Sequence, residues 1–358
     1  MRNIIRWNIV FLLTFHAAFS QRLDSVKHTP ADLPCRKSVT LVAAGDLLLG
    51  ARTASLIRTH GIHAPFDSIR SITQHADIAL ANLEAPFAAS TAGEPYPKQY
   101  NFKVVPKYAG GLVSAGLDVV TLANNHMMDY GEEALRSTLH VLDSLNIQHA
   151  GAGLTFEEAH RPIQFMRNGL TFGFLAYSLT YPDSFWAAPG RGGTAYPASS
   201  RMKRQIRELK ASNDFVIVSF HWGGEKKTSP KDYQKRYAHQ AIDAGADVII
   251  GHHPHVVQGV EVYREKPIAY SLGNFIFGSY SRHANGALLE VEFHPNGKIE
   301  GRILPINVNN HEIRFQPRLL RGGKRAEMIR HINDISLALN NQLTPLDSTG
   351  MIQLFRQD

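Results

Sequence analysis

The sequence predicts an α/β protein in which mixed sheets are covered by helices. Three patterns carry that expectation. Short apolar runs of strand length alternate with amphipathic helical stretches as far as Gly251. Beyond Gly251 the pattern changes to closely spaced strands of the hairpin type. Apolar runs also stop repeatedly at Gly, Asn, Asp or His, as buried strands do where they feed functional loops. Alternating βα units followed by antiparallel strands imply a mixed sheet, or two sheets, with helices outside.

In order, residues 38–44 form the first buried strand, which ends in Gly45-Asp46. Residues 66–75 have helical spacing at Phe66, Ile69 and Ile72, and 77–83 read as a second strand. A short helix over 107–115 leads to a strand over 118–122. Residues 132–145 are an amphipathic helix with Leu135, Leu139, Leu142 and Leu145 on one face. Strands 161–167 and 170–177 flank Asn168-Gly169, a pair suited to a tight hairpin turn. Helix 201–210, strand 214–220, helix 232–244 and strand 247–250 follow. The hairpin region holds strands at 256–263, 268–271, 287–293 and 299–305, with Pro295-Asn296-Gly297 turning between the last two. A helix over 327–339 closes the chain. Two stretches, 85–100 and 180–199, lack periodicity and read as functional loops.

The chain has 358 residues, 44% hydrophobic and 19% charged, which suits a sizeable core and rules out disorder. A net charge of +7 without any long basic run permits an acidic partner and gives no ground for nucleic acid. The single cysteine, Cys35, excludes an intrachain disulfide and a cysteine-built zinc site. Residues 1–20 read as a secretory signal peptide, with Arg2 and Arg6 before an apolar 9–15 and small residues at Ala18 and Ser20. That apolar stretch is shorter than the roughly 20 residues that span a bilayer, so a membrane attachment follows only without cleavage. The expected organisation is signal peptide 1–20, linker 21–37, main domain 38–310 and C-terminal helical extension 311–358. The expected location is secreted, periplasmic or cell envelope.

Five apolar strands end in residues able to bind a metal. They end at Asp46, at Asn82-Leu83-Glu84, at Asn124-Asn125-His126, at His221 with Glu225, and at His252-His253-Pro254-His255. Ligands of α/β sheets bind outside the carboxyl ends of strands. A site there would hold Asp, Glu, Asn and His, a set that suits zinc, manganese or iron. Singly, the elements have ordinary readings: a turn at Asp46, a cap at Asn124-Asn125, a satisfied core histidine at His221. Three histidines in four residues point more firmly to metal. Pro254 favours an extended His253, which would turn His253 and His255 to one side.

As an ordered set these segments, with Asp129-Tyr130-Gly131 and Ser271-Leu272-Gly273-Asn274-Phe275, resemble the capsule-synthesis protein CapA family. Those poly-γ-glutamate capsule proteins are a branch of the calcineurin-like metallophosphoesterase superfamily. The resemblance implies a four-layer α/β/β/α sandwich with one or two divalent ions (manganese, zinc or iron) at its rim. It suggests Asp46 and His255 for a first ion, Glu84 as the bridge, and Asn125, His221 and His253 for a second. His126 would be the general acid, and Asp129 would orient it or serve as a helix N-terminal acid. Leu48 stands where the superfamily has a histidine ligand, which leaves two outcomes: Glu225 or Asn82 compensates, or the site holds only one ion tightly. Lys98, Lys103 and Arg191 are candidates for holding anionic groups of a substrate, against the commoner reading of solvated surface cations. The implied function is a secreted metal-dependent hydrolase acting on an anionic polymer such as poly-γ-glutamate in capsule or envelope biosynthesis. Capsule-assembly proteins are the implied partners. The alternatives are a non-catalytic polymer-binding accessory protein and a plain phosphoesterase.

Overall fold

The computed structural model describes residues 36–280 and 285–355. The expected signal peptide, Cys35 and all but the last two residues of the expected linker lie outside the described residues. In chain order the strands are β1 (Val39–Leu47), β2 (Ile78–Leu83), β3 (Val119–Thr121), β4 (Gln148–Ala150), β5 (Ala152–Gly153), β6 (Ile163–Arg167), β7 (Leu170–Ser178) and β8 (Gly193–Thr194). They continue with β9 (Phe215–His221), β10 (Val248–His252), β11 (Val260–Tyr263), β12 (Lys266–Ala269), β13 (Asn274–Ile276), β14 (Asn285–Phe293), β15 (Ile299–Asn307) and β16 (Arg318–Leu319). The helices are α1 (Thr53–His60), α2 (Arg70–His75), α3 (Gly110–Ser114), α4 (Gly131–Ser144), α5 (Phe156–Ala159), α6 (Ser199–Ser212), α7 (Asp232–Ala244), α8 (Asn310–Ile313) and α9 (Gly322–Ser336).

Two mixed sheets face each other. The first runs β16-β15-β14-β1-β2-β3-β4, with β13 pairing the carboxyl end of β1; the second runs β11-β12-β10-β9-β7-β6. Strands β1 to β4 are parallel, as are β7, β9, β10 and β12, while the hairpin strands run antiparallel. Because β1, β2, β9 and β10 are covered on both faces, they read as continuous apolar runs rather than alternating ones.

Three apolar layers separate the elements. Between the sheets, Leu41, Leu80 and Leu289 meet Phe172, Ile217 and Ile250. Phe293 of the first sheet packs 4.7 Å from Phe215 and 5.2 Å from Phe172 of the second. Outside the first sheet, Val42, Ala79 and Leu83 pack on Leu112, Leu135 and Leu142 of α3 and α4. Outside the second, Val216 and Val218 pack on Met202, Ile206, Ala238 and Ala241 of α6 and α7. The architecture is therefore the four-layer α/β/β/α sandwich that the resemblance implied. Each fully buried Leu or Phe in these layers contributes roughly 1.5–3 kcal/mol.

Some elements differ from the sequence pattern. The helical stretch at 66–75 divides into a 3₁₀ turn at Ala64–Phe66 and the short α2. Helix α1 buries only Thr53 and Ile57, too few apolar positions to produce a period. The strand expected from 256 begins at Val260, because Val257 instead bridges Leu272 beside the loop that follows β10. After His311 the chain adds β16 to β15, and α9 sends Met328, Ile329 and Ile332 into the layer between the sheets.

Four strands begin just after an aspartate that caps the strand beside it. Asp77 accepts from Thr40 N, Asp118 from Ala79 N, Asp214 from Thr171 N and Asp247 from Val216 N, at 2.8 to 2.9 Å. These acids lie at the amino ends of the parallel strands. The opposite ends carry the site.

Candidate metal centre

The carboxyl ends of β1, β2, β9 and β10 converge. Asp46 lies within β1, Glu84 follows β2, His221 ends β9, and His253 and His255 follow β10. Two glycines allow the backbones to come this close. A Cβ on Gly45 would stand 1.9 Å from Gly273 O, and one on Gly251 would stand 1.9 Å from Tyr270 O. With glycine in place, Asp46 N donates to Gly273 O at 3.0 Å.

Ligand atoms of Glu84, His221 and His253 all lie within 4.8 Å of one another, and so do those of Asp46, Glu84 and His255. Glu84 belongs to both groups. Asn125 joins the first, its Oδ1 lying 2.8 Å from His221 Nε2. All six residues expected to hold metal are thus brought together around two adjoining positions. The path differs from expectation at one point: His253 and His255 sit at φ +95° and +57°, so the segment is not extended. A left-handed histidine pair is strained, which is common where a fold presents functional groups.

The donors fit a cation better than they fit each other. Glu84 Oε1 and His253 Nδ1 are buried without a hydrogen-bond partner. Glu84 Oε1 stands 3.7 Å from His221 Nε2 and 3.6 Å from His255 Nε2. Those gaps are too long for hydrogen bonds and suit donors each about 2.0–2.2 Å from a shared ion. A third cluster, Glu292, His294 and Glu300, has similar spacing. There two of the three residues are already engaged: His294 bonds Ser38 and Glu300, and Lys298 bonds Glu300.

Burial governs the protonation of the centre. It opposes the charge on Asp46, yet the hydrogen bond and charge of His255, helped by His252, carry that carboxyl down to about 2. Burial and the charge of Asp46 push Glu84 well above the usual carboxylate range. Burial, with neighbouring histidines, holds His221 far below an ordinary imidazole and brings His253 to about 3. Burial opposes charge on His255 too, but its bond to Asp46 raises it. The chain thus assembles mostly neutral nitrogens around crowded carboxyl oxygens.

Asn82 does not replace the ligand that Leu48 withholds. Its Nδ2 donates to Asp46 Oδ1 at 2.8 Å and to Glu84 Oε2 at 3.2 Å. Its oxygen faces away, accepting from Thr121 Oγ1 and from Asn124 Nδ2. The orientation is fixed from the backbone, because His126 N donates to Asn124 Oδ1. Asn82 and Asn124 therefore position the two acids. The two-residue spacing of Asn82 and Glu84 along a strand, which sets both on one face, is the signal that reveals this. Leu48 itself is buried in the apolar layer under the helices. Glu225 is exposed, and its charge acts on Glu84 and His255. His252, fully buried with both ring nitrogens unpartnered, lies 3.6 Å from Asp46 Oδ1.

Beside the cluster, His126 Nδ1 meets Asp129 Oδ2 at 2.7 Å, and Phe102 packs on its ring at 4.4 Å. Burial lowers the His126 pKa, and Asp129 offsets part of that. Three cations near the site are held by groups of the chain. Lys98 is held by Asp129 Oδ1 at 2.5 Å and by the Asn125 carbonyl, Lys103 by the carbonyls of Ser90 and Ala92, and Arg191 by that of Trp186.

Residues 40–279, a span containing the whole cluster, match the family model of the bacterial capsule synthesis protein PGA_cap. The chain belongs to that family. Among its relatives, the capsule biosynthesis protein CapA of Bacillus anthracis is 26% identical over 307 residues, covering 84% of this chain and 74% of that protein. The PGA biosynthesis protein CapA of Bacillus subtilis is 29% identical over 304 residues, covering 84% and 79%. A probable polyglutamine synthesis accessory protein of Mycobacterium tuberculosis is 33% identical over 215 residues, covering 56% and 55%. The solved calcineurin-like phosphoesterase YfkN from Bacillus subtilis aligns with 85% of this chain and 98% of that one at 14% identity and a TM-score of 0.42.

Proposed function

We propose that this capsule-family chain is an exported metal-dependent hydrolase that cuts an anionic polymer of the poly-γ-glutamate type during capsule or envelope synthesis. One observation carries the hydrolase reading: the buried, unpartnered Glu84 Oε1 between His221 Nε2 and His255 Nε2. Asp46, Glu84 and His255 would hold one ion, and Glu84, Asn125, His221 and His253 another. The names of the relatives support the polymer.

A divalent cation of the zinc, manganese or iron kind supplies hydroxide at neutral pH and polarises the oxygen that gains charge in the transition state. The remaining work falls to side chains of the protein. Asn82 keeps Asp46 and Glu84 turned toward the ions. His126 delivers a proton to the leaving oxygen or nitrogen as the bond to it breaks and water adds to the other side. Asp129 fixes the ring through Nδ1 and stabilises the imidazolium needed before that transfer. Lys98 balances the charge on Asp129 from its other oxygen.

Leu48 in place of a ligand favours a second reading, an accessory protein that binds polymer without cutting it. Metal analysis of the purified protein, followed by assay on poly-γ-glutamate and on a generic phosphodiester, separates the readings. Stoichiometric metal with polymer cleavage is the expected result. Metal-free protein that binds polymer intact would establish the accessory role, and cleavage of the phosphodiester alone would make it a plain phosphoesterase.

A further inference from the structure

A groove of about 540 Å³ lies at one edge of the fold, outside the metal centre. Arg52 and Arg314 stand on its walls, and among the described residues no carboxylate lines it. Among the described residues neither guanidinium has an acidic partner. Arg52 lies over the Tyr280 ring at 4.7 Å, and that ring packs on His311 at 4.6 Å and on Phe315 at 5.4 Å. Strained backbone presents both arginines. Ala51, just before Arg52, has φ +48°, while Arg314 and Phe315 have φ +51° and +65°. None of the three is a residue that adopts this conformation readily.

One segment joins the groove to the centre. Phe277 packs 4.6 Å from the His255 ring, and Tyr280 is three residues further on. The Asn310 amide donates to the carbonyls of Phe277 at 2.7 Å and of Ser279 at 2.6 Å, which pins the segment. At Gly278 a Cβ would come within 2.8 Å of Ala51 Cβ, so the segment lies directly against the turn that carries Arg52. Three residues of chain span at most roughly 10 Å, which bounds the length of that link.

We propose that this groove is a second anion subsite, taking carboxylates of the same polymer a short way along from the bond held at the metal centre. The proposal rests on the polymer reading above. Guanidinium matches a carboxylate with two parallel hydrogen bonds, and these two have no acid among the described residues to displace. Tyr280 gives the polymer backbone an apolar floor. A single exposed ion pair is weak, but two contacts on a chain already held at the centre gain from its effective concentration.

The test is calorimetric binding of long poly-γ-glutamate, and of the γ-glutamyl dipeptide, to the metal-loaded full chain and to its Arg52→Gln/Arg314→Gln variant. The expected result is a loss of about tenfold in polymer affinity, with dipeptide affinity and metal content unchanged. Arg52→Lys/Arg314→Lys should recover part of the loss, because a point charge replaces the fork. Equal polymer affinity in the glutamine variant overturns the subsite, as does an equal loss for the dipeptide. If polyphosphate alone loses affinity, the carboxylate assignment falls. Both chains are also titrated in a His126→Ala background, which is expected to keep the metal and stop cleavage, so binding is read apart from turnover. A wild-type chain that binds no polymer overturns the polymer reading and the subsite together.

Discussion

The two ends of the parallel strands use the same residue types to opposite effect. At the amino ends, Asp77, Asp118, Asp214 and Asp247 each accept a backbone N–H of the adjoining strand. Three of these acids also have a cation of the chain: Asp118 has Arg167, Asp214 has Arg36, and Asp247 has Lys210 and Lys266. At the carboxyl ends, Asp46 and Glu84 are fully buried, and their closest nitrogen partners are the imidazoles of His221, His252 and His255, the amide of Asn82 and the backbone N–H of His253. The amino-end acids tie neighbouring strands together. An acid surrounded by weakly basic rings is compatible with a cation from outside.

The strongest way to break this contrast is Glu84→Gln, which removes the charge common to both groups. Turnover should fall by roughly a thousandfold or more and metal content should drop, while the fold persists by circular dichroism. Retained metal in the variant would take Glu84 out of the shared position. His126→Ala sharpens the contrast within the site: metal is expected to stay while turnover drops about 10²–10⁴-fold. Loss of metal instead would make His126 a ligand and not the acid.

At the other end, Asp247→Ala should leave metal stoichiometry intact and cost about 1–3 kcal/mol of stability, read by urea unfolding, because Val216 N and two lysines lose their acceptor. A change in metal content there would erase the distinction between the ends. The smallest effect is one of pH. In the metal-free protein His252 sits at about 4 and His253 at about 3, and His221 also lies low, each from an ordinary value of 6.5. Below pH 6.5 the unfolded chain takes up protons that these buried rings refuse, so stability falls with acid. The raised Glu84 and His255 oppose this and offset part of it. Chelated protein should therefore lose stability progressively as pH falls from 6.5 toward 4. A flat profile would mean the rings are not desolvated as described.

Much of this contrast is legible in the sequence. Each amino-end aspartate stands directly before an apolar run, and the expected strands 77–83, 118–122, 214–220 and 247–250 begin on them. The six metal-centre positions are legible because each closes a buried strand with a residue that an apolar environment would otherwise refuse. What is not legible depends on direction. No pattern tells that Asn82 turns its amide hydrogens inward, since that follows from a hydrogen-bond chain running through Asn124 to the backbone of His126. Nor does Lys98, in an aperiodic loop, announce that it will bury itself against Asp129. The left-handed turn at His253 also escapes, because Pro254 argues locally for extension and the sheet junction overrides it.

The most direct test is manganese soaked into crystals of the protein and located by its anomalous signal. A peak roughly 2.0–2.2 Å from Glu84 Oε1, within reach of His221 Nε2 or His255 Nε2, is the predicted result. Manganese found only beside Glu292, His294 and Glu300, with the junction of the two sheets vacant, would contradict it.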